Sequence, residues 1–277
     1  MRVALLALVV LLPAGCKKLP DLRGLRKALP TVRFDTLKID DINFRKVDAK
    51  FVLEVVNPYP VELSLTELSW KLGLAGSPFL DGTNREGTTI AANGTSKVRI
   101  PFSMKFADAF SVVSGASGLD ALPYTLDTTL GFATPFGPVS VPLTDEGELP
   151  ALHMPRFSLR GLEVDKIDLA EGVARLALEI DVDTDQPSAL SFDTFGYALS
   201  LAGAEVVTGN ARIGSVAKHA DVTLPVVISL GGVSQAVIGI LSDRRTTKVK
   251  LDADATVGTP FGAVPLHVSE IADLTPR

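Results

Sequence analysis

The stretch that most suggests catalysis is 226–241, VVISLGGVSQAVIGIL, where an apolar strand pattern is followed by Gly-x-Ser-x-Ala and a helical pattern. A serine at such a strand-to-helix turn is the nucleophile of many hydrolases. Asp243 or Asp252 and then His267 follow Ser234 in the order that a catalytic triad of this class needs. Those hydrolases need parallel strands that alternate with helices, whereas the patterns below predict antiparallel strands. Because a serine at a helix start is commonly an N-cap, we predict that Ser234 is structural and that the protein is not an enzyme.

Metal ligation is the second kind of chemistry to consider. His153, His219 and His267 are isolated in the sequence and form no recognised ligand spacing. The acidic pairs at Asp40–Asp41 and in 145–148 have the oxygen ligands that calcium prefers, but exposed carboxylates at strand ends are far commoner. A phosphate-binding loop with its glycines and lysine is also absent from the sequence. We therefore predict no metal and no cofactor, and the sequence leaves any small-molecule ligand open.

Lipid attachment is the third kind of chemistry, and Cys16 is its candidate residue. The apolar run over 3–12 is too short to span a bilayer, and the small residues of PAGC follow it directly. This pattern resembles a bacterial lipobox, in which cleavage between Gly15 and Cys16 frees a cysteine whose sulfur is lipidated, although Pro13 stands where leucine is usual. The chain has one cysteine and so has none left for disulfides. We predict a lipoprotein signal peptide over 1–15 and membrane attachment through lipid on Cys16.

The segment that follows the cysteine, 16–30, is basic, whereas the chain as a whole has a formal net charge of −5. A basic tether beside a lipid is attracted to anionic head groups, although a solvated linker fits the same residues equally well. Lys17 is not the aspartate that retains many lipoproteins in an inner membrane. The sequence therefore favours a bacterial cell envelope location, at the outer membrane if the host has two. The mild acidic charge argues against a nucleic-acid partner.

The elements that would position these residues repeat along the chain with a period near 125 residues. Each matched segment alternates apolar and polar residues, as expected of a strand with one buried face. Four pairs of segments match, at offsets of 125, 127, 124 and 125: AKFVLEV (49–55) with ARLALEI (174–180), LSWKLGLAG (68–76) with FGYALSLAG (195–203), VRIPFSMKF (98–106) with VTLPVVISL (222–230), and TPFG (134–137) with its copy (259–262).

These patterns predict a mainly β chain made of two tandem immunoglobulin- or fibronectin-like antiparallel β-sandwiches. We place the first over 31–153 and the second over 154–277. Each is expected to contain one short helix, within 107–123 and 231–246. Asn93-Gly94 between two strand patterns predicts a hairpin turn.

The first repeat contains LEVVNPYPVELSL, in which Pro58 and Pro60 cannot donate to a sheet. Asn57 and the two prolines therefore predict the end of a strand. In the second repeat the corresponding stretch is DVDTDQPSALSF (181–192), and the offset of 125 sets Val182 against Asn57. By that alignment the second repeat keeps the strands and loses the motif.

A strand that ends in Asn-Pro-x-Pro, followed by LSLTELSWKLGLAGSPFLDG and IAANGTSKVRIPFSMKF, resembles the water-stress and hypersensitive-response (WHy) domain. That domain defines the type 2 late-embryogenesis-abundant (LEA) proteins. The resemblance lies in residues 42–143 and reaches the second repeat mainly through the internal match. It implies a small β-sandwich with one helix, in which Asn57, Pro58 and Pro60 form a structural family motif.

The resemblance also implies a non-catalytic, protective role in desiccation or water stress. Its partners would be client proteins or anionic lipid head groups, contacted through exposed strand edges and loops. Two alternatives stay open from the sequence alone. One is an envelope adaptor that binds a specific protein, and the other, more remote, is a serine hydrolase that uses Ser234.

Overall fold

The structure is a computed structural model that describes residues 29–85, 87–113 and 118–277. The predicted signal peptide, Cys16 and most of the basic tether lie outside these residues. The described chain forms two repeated units, each with a three-stranded and a five-stranded sheet and one short α-helix. All strand pairs are antiparallel, which confirms the predicted fold class.

The first unit contains eight strands and the helix α1. In chain order they are β1 (Thr31–Ile42), β2 (Lys46–Val56), β3 (Leu63–Leu74), β4 (Ser77–Asn84), β5 (Thr88–Ile90), β6 (Thr95–Lys105), α1 (Phe106–Val112), β7 (Ala121–Thr134) and β8 (Gly137–Pro150). One sheet has the order β1-β2-β6, and the other has the order β4-β3-β7-β8, with β5 also paired to β3.

The second unit repeats this arrangement. Its elements are β9 (Arg156–Asp168), β10 (Val173–Asp183), β11 (Leu190–Leu201), β12 (Ala204–Ala211), β13 (Gly214–Val216), β14 (His219–Ser229), α2 (Gln235–Asp243), β15 (Thr247–Thr259) and β16 (Gly262–Leu274). The sheet orders are β9-β10-β14 and β12-β11-β15-β16, with β13 paired to β11.

The core of each unit lies between its two sheets, because strands with period-two patterns bury one face. In β6 the buried positions are Val98, Ile100, Phe102 and Met104, and the intervening residues face water. Aromatic rings make contacts between sheets: Phe51 of β2 lies 5.2 Å from Tyr124 of β7, measured between ring centroids.

The predicted alignment of the two repeats is wrong at one strand. The ladders pair Leu53 with Val98 in the first unit and Ile180 with Val222 in the second. Leu53 and Ile180 are 127 residues apart, whereas the sequence match had set β2 against β10 at an offset of 125. A strand has period two, so a slip of two residues leaves every side chain on its own face. Alternation therefore cannot detect such a slip.

The predicted helices exist but are shorter than expected. The first ends at Val112 and β7 begins at Ala121, so the segment 107–123 is not one helix. The second begins at Gln235, capped by Ser234, and ends at Arg244 in the left-handed conformation with φ of 52°. Its buried side chains are Val237 and Leu241, which are four residues apart and so lie on one face of the helix.

The predicted turn at Asn93-Gly94 is present, with Asn93 at φ of 46° and Gly94 donating to the Ala91 carbonyl at 3.1 Å. However, it is not a hairpin turn. It joins β5, which belongs to the five-stranded sheet, to β6, which belongs to the three-stranded sheet. The chain changes sheet after β2, here after β5, and again through α1 between β6 and β7. The second unit does the same, so each unit is a sandwich with three crossing connections.

The hairpins β3–β4 and β11–β12 allow a test of turn chemistry. Ala75 and Gly76 both have positive φ, as do Ala202 and Gly203, which is the pattern of a type I′ turn. Alanine is strained at positive φ, whereas asparagine tolerates it and is favoured at the first position of this turn. We expect Ala75→Asn and Ala202→Asn each to raise the free energy of unfolding by roughly 0.5–1 kcal/mol. Urea denaturation measures this, and a loss of stability in both variants would contradict the turn assignment.

Candidate functional sites

Asn57, the first residue of the predicted motif, is almost completely buried at the end of β2. Its side-chain Nδ2 donates to the carbonyls of Val61 at 2.8 Å and Ala91 at 2.9 Å, and its Oδ1 accepts from the backbone N–H of Tyr59 at 2.9 Å. The backbone N–H of Asn57 donates to the Gly94 carbonyl at 2.9 Å. One side chain thus uses both ends of its amide on backbone groups that no strand satisfies.

These bonds join two of the three segments in which the first unit crosses between its sheets. Residues 57–62 lead from β2 to β3, and residues 91–94 lead from β5 back to β6. Neither segment can satisfy its backbone groups in a ladder, so the buried amide of Asn57 takes over that role. Asn93 N–H also donates to the Tyr59 carbonyl at 2.8 Å, which adds a second link.

The second unit has an equivalent of this motif, contrary to the sequence alignment. Thr184 occupies the place of Asn57: it follows β10 directly and its N–H donates to the Lys218 carbonyl at 2.9 Å. Its Oγ1 accepts from the N–H of Gln186 at 3.0 Å, as Asn57 accepts from Tyr59. Pro187 then corresponds to Pro60. The second repeat has Thr-Asp-Gln-Pro in place of Asn-Pro-Tyr-Pro, so it lacks the signature residues as expected but keeps the connection. The predicted alignment of Val182 with Asn57 is wrong.

Gln186 takes the place of Tyr59, and its side chain forms hydrogen bonds with the first unit. It is 1% exposed. Its Oε1 accepts from the His153 N–H at 2.9 Å, and its Nε2 donates to the Ala151 carbonyl at 3.1 Å and to the carboxylate of Asp120. Asp120 also accepts from the N–H of Ser188 at 3.3 Å and from its hydroxyl. This group, which we call the junction network, joins the segment before β7 and the linker after β8 to the second unit.

The hydrogen bonds of the junction network shift the pKa of Asp120. Burial alone would raise the pKa of Asp120, but the hydrogen bonds from Ser188 and Gln186 outweigh it and hold that pKa below its ordinary value. A lowered carboxyl pKa stabilises the fold above the pKa of the unfolded chain, and this contribution is lost as pH falls through the folded value. The junction is therefore expected to weaken in acid.

The residues of the possible hydrolase triad are each engaged elsewhere. The Ser234 hydroxyl accepts from the N–H of Val237 in its own helix at 3.4 Å, as an N-cap does. His267 bonds to Asp254 at 2.9 Å, and Asp252 bonds to Ser269 at 2.7 Å. Across the described ranges, no hydrogen bond joins Ser234 to a histidine. The predicted cap is confirmed, and the triad geometry is not assembled.

His219 has partners that its position in the sequence did not indicate. Strand register sets His219 of β14 opposite Asp183 of β10, and Asp221 opposite Asp181. The imidazole Nδ1 lies 2.9 Å from Asp183 and Nε2 lies 3.1 Å from Asp221. Ligand-type atoms of Asp181, His219 and Asp221 lie within 4.8 Å of one another. Because Asp181 is paired with Arg160 at 2.6 Å, and Asp221 and Asp183 with the imidazole, each of these side chains has a protein partner, which favours an ion-pair network over a metal site.

This network predicts a measurable titration. The hydrogen bonds that the imidazole donates to Asp183 and then to Asp221 raise the pKa of His219 above its ordinary value of 6.5. The stability that this adds is fully present below pH 6.5 and is lost as pH rises through the raised value. We expect Asp183→Asn to lower the pKa, as followed by imidazole NMR, whereas Asp254→Asn beside His267 should leave it unchanged. An unshifted His219 in the unsubstituted protein would contradict the network.

Cys16 and Gly15, the predicted lipidation and cleavage residues, lie outside the described part of the chain. Within the part described, no helix combines the length and apolar character needed to cross a membrane. The anchor therefore stays a prediction from the sequence.

Comparison with known proteins gives a family match and a curated relative. Residues 52–147 match the family model described as late embryogenesis abundant protein, LEA_2. A desiccation-related protein of Arabidopsis thaliana is 26% identical over 123 residues, which are 42% of this chain and 74% of the relative. The family match runs from within β2 to within β8, so it lies in the first unit and includes Asn57, Pro58 and Pro60.

Three solved structures align with part of this chain. The solution structure of the same Arabidopsis protein is 20% identical with a TM-score of 0.39, and covers 48% of this chain and 76% of that one. A second Arabidopsis solution structure is 21% identical with a TM-score of 0.38, covering 44% and 82%. A crystal structure of an Archaeoglobus fulgidus protein is 9% identical with a TM-score of 0.35, covering 44% and 100%.

Proposed function

We propose that this protein is a non-catalytic type 2 LEA protein, built from two WHy-like domains, that protects other macromolecules in a bacterial envelope during desiccation. The observation that carries the proposal is the family match over 52–147, together with the desiccation-related relative. The domains correspond to residues 31–153 and 154–277. The N-cap role of Ser234 and the hydrogen bond of His267 to Asp254 favour protection over hydrolysis.

Protection would act through surface contact at the outermost strands. Each of three edge strands exposes one large apolar side chain: Ile39 of β1 is 38% exposed, Val227 of β14 is 53% exposed and Ile271 of β16 is 60% exposed. Edge strands also offer unpaired backbone groups, which can pair with a partly unfolded chain. Neighbouring charged residues on β1 and β16 keep these edges from pairing with one another.

The anchor would hold this surface at a membrane. Lipid on Cys16 and the basic tether over 16–30 are two signals, which together bind a membrane more stably than one acyl chain does. We place the protein in the bacterial envelope, at the outer membrane of a host that has two. Mass spectrometry of the mature N-terminus should find a lipidated cysteine, and Cys16→Ser should release the protein from the membrane fraction. An unmodified Cys16 would overturn the anchor but not the protective role.

The protective role is tested by drying a labile enzyme with the purified protein and measuring the activity that survives rehydration. We expect more activity to survive than with an unrelated β-sandwich of the same mass. The triple variant Ile39→Lys, Val227→Lys, Ile271→Lys should protect less while unfolding at the same urea concentration, since all three side chains are exposed. Equal survival with the unrelated sandwich would overturn the proposed function. Full protection by the triple variant would overturn the edge-strand mechanism.

A further inference from the structure

An open cleft of about 950 Å³ lies where the two units meet. Its walls come from the β1–β2 turn, the junction of β6 with α1, the linker after β8, and β16. The apolar lining includes Phe44, Met154 and Leu266; Phe44 and Leu266 are buried, whereas Met154 is 42% exposed. Ligand sites commonly have volumes of roughly 300–1,000 Å³ and mostly apolar walls, so this cleft has the size and lining of a small-molecule site.

The ionisable residues that line the cleft are all basic. Arg45, Lys46, Lys105 and His267 line it, and its lining contains no aspartate or glutamate. Lys46 is paired with Asp48 at 2.5 Å and His267 with Asp254 at 2.9 Å. Arg45 and Lys105 form no ion pair with any residue of the described ranges. The cleft thus has two basic side chains without an ion pair beside an apolar wall, in a chain whose net charge is negative.

The strand register concentrates positive charge at one end of the cleft. Lys46 and Lys105 lie directly opposite each other on β2 and β6, and like charges at such positions repel. Arg45 is adjacent, in a turn that is held in place by Asn43, whose Oδ1 accepts from the N–H groups of Arg45 at 2.9 Å and Lys46 at 3.1 Å. The Phe106 N–H fixes the same turn to α1 through the Arg45 carbonyl at 2.9 Å. The cations are therefore held close together by the backbone.

From this geometry we propose that the cleft binds a long-chain fatty acid. The carboxylate accepts charge-assisted hydrogen bonds from Arg45 and Lys105, and the alkyl chain lies against Phe44, Met154 and Leu266. Methionine is unbranched and adapts to an irregular chain. The protein's own tether is disfavoured as an occupant, because residues 17–27 carry five basic residues and one acidic residue. This proposal goes beyond the proposed stress function and depends on neither the anchor nor protection of clients.

The test uses the fluorescent fatty acid cis-parinaric acid as probe, with oleate and oleyl alcohol as competitors. We expect saturable binding of one probe per chain, displaced by oleate and much less by oleyl alcohol, which has the same chain without the charge. The Arg45→Gln, Lys105→Gln double variant should bind the probe roughly tenfold more weakly or worse, because it loses both charge-assisted bonds. Arg212→Gln with Lys218→Gln removes two exposed cations elsewhere and should leave binding unchanged.

Three results would overturn the proposal: equal displacement by oleate and oleyl alcohol, unchanged binding in the double variant, or binding that does not saturate at one site. A dimer that forms with rising protein concentration and excludes the probe would show that a second copy occupies the cleft instead. The substituted side chains are exposed, so the variants are expected to fold, and circular dichroism confirms this before binding is measured. Met154→Glu offers an independent check, since a carboxylate within the cleft should weaken oleate binding without changing the cations.

Discussion

Replacing Asn57 with alanine is expected to lower the free energy of unfolding by about 3 kcal/mol. The change removes an amide whose Nδ2 donates to the Val61 and Ala91 carbonyls and whose Oδ1 accepts from the Tyr59 N–H. Asn57 and Tyr59 are 1% and 2% exposed, so water cannot readily replace the lost partners. A buried backbone group left without a partner costs its desolvation energy, which exceeds the net gain from an ordinary hydrogen bond.

Thr184→Val is the matched control in the second unit. Thr184 occupies the same place but its side chain accepts one hydrogen bond, from Gln186 N–H at 3.0 Å. We therefore expect a loss of about 1 kcal/mol, measured by the same urea denaturation. Equal losses at the two positions would show that Asn57 acts only as a turn residue and does not hold the two crossing segments together.

Asn57→Asp separates the two ends of the amide. It keeps the acceptor for Tyr59 N–H but sets an oxygen against the carbonyls of Val61 and Ala91, where Asn57 donates. We expect this variant to be at least as destabilised as Asn57→Ala at neutral pH and to regain stability in acid, because a protonated carboxyl can donate. A stability equal to that of the unsubstituted protein at neutral pH would contradict the assigned donor.

The faces of the strands were predictable from the sequence because burial acts on each residue separately. Val98, Ile100, Phe102 and Met104 are buried as their alternation predicts, and Val237 and Leu241 are buried at helical spacing. Ser234 was predictable as a cap for a similar reason, since its hydrogen bond is local. Features that depend on residues within one strand or helix can be predicted from a single sequence.

The pairing between elements was not predictable, because it depends on which residues become neighbours across a ladder. Alternation could not distinguish an offset of 125 from one of 127, so Thr184 was not recognised as the counterpart of Asn57. Asn93-Gly94 has the composition of a hairpin turn, yet it connects two sheets. His219 meets Asp183 only through the register of β10 and β14. Aligning Pro187 with Pro60 was the one signal that could have found the correct offset.

The junction network could not be predicted for the same reason. Its disruption is expected to have the second large effect on stability. Gln186→Leu preserves most of the side-chain volume but leaves the His153 N–H, the Ala151 carbonyl and the Asp120 carboxylate without a partner at this position. We expect the free energy of unfolding to fall by about 3 kcal/mol, since a half-buried carboxylate loses one of its hydrogen bonds as well. The neighbouring bonds from Ser188 to Asp120 limit the loss, because they keep the carboxylate partly satisfied.

The loss should also uncouple the two units, and the chain contains a probe for this. Trp70, the single tryptophan, lies in β3 of the first unit, so its fluorescence reports on that unit, whereas far-ultraviolet circular dichroism reports on both. In the unsubstituted protein we expect the two urea transitions to coincide, because coincident probes are the mark of cooperative unfolding. In Gln186→Leu they should separate.

Gln235→Leu makes the same chemical change at an exposed position at the start of α2, and should leave both transitions within about 0.5 kcal/mol of the original. Coincident transitions in Gln186→Leu, with a stability like that of Gln235→Leu, would mean that the units are coupled through apolar contacts and not through this glutamine. The expected result would instead show that the two repeats differ in role at the third residue of Asn57–Pro60 and of Thr184–Pro187. Tyr59 fills the core of its own unit, whereas Gln186 uses the same buried place to bind its neighbour.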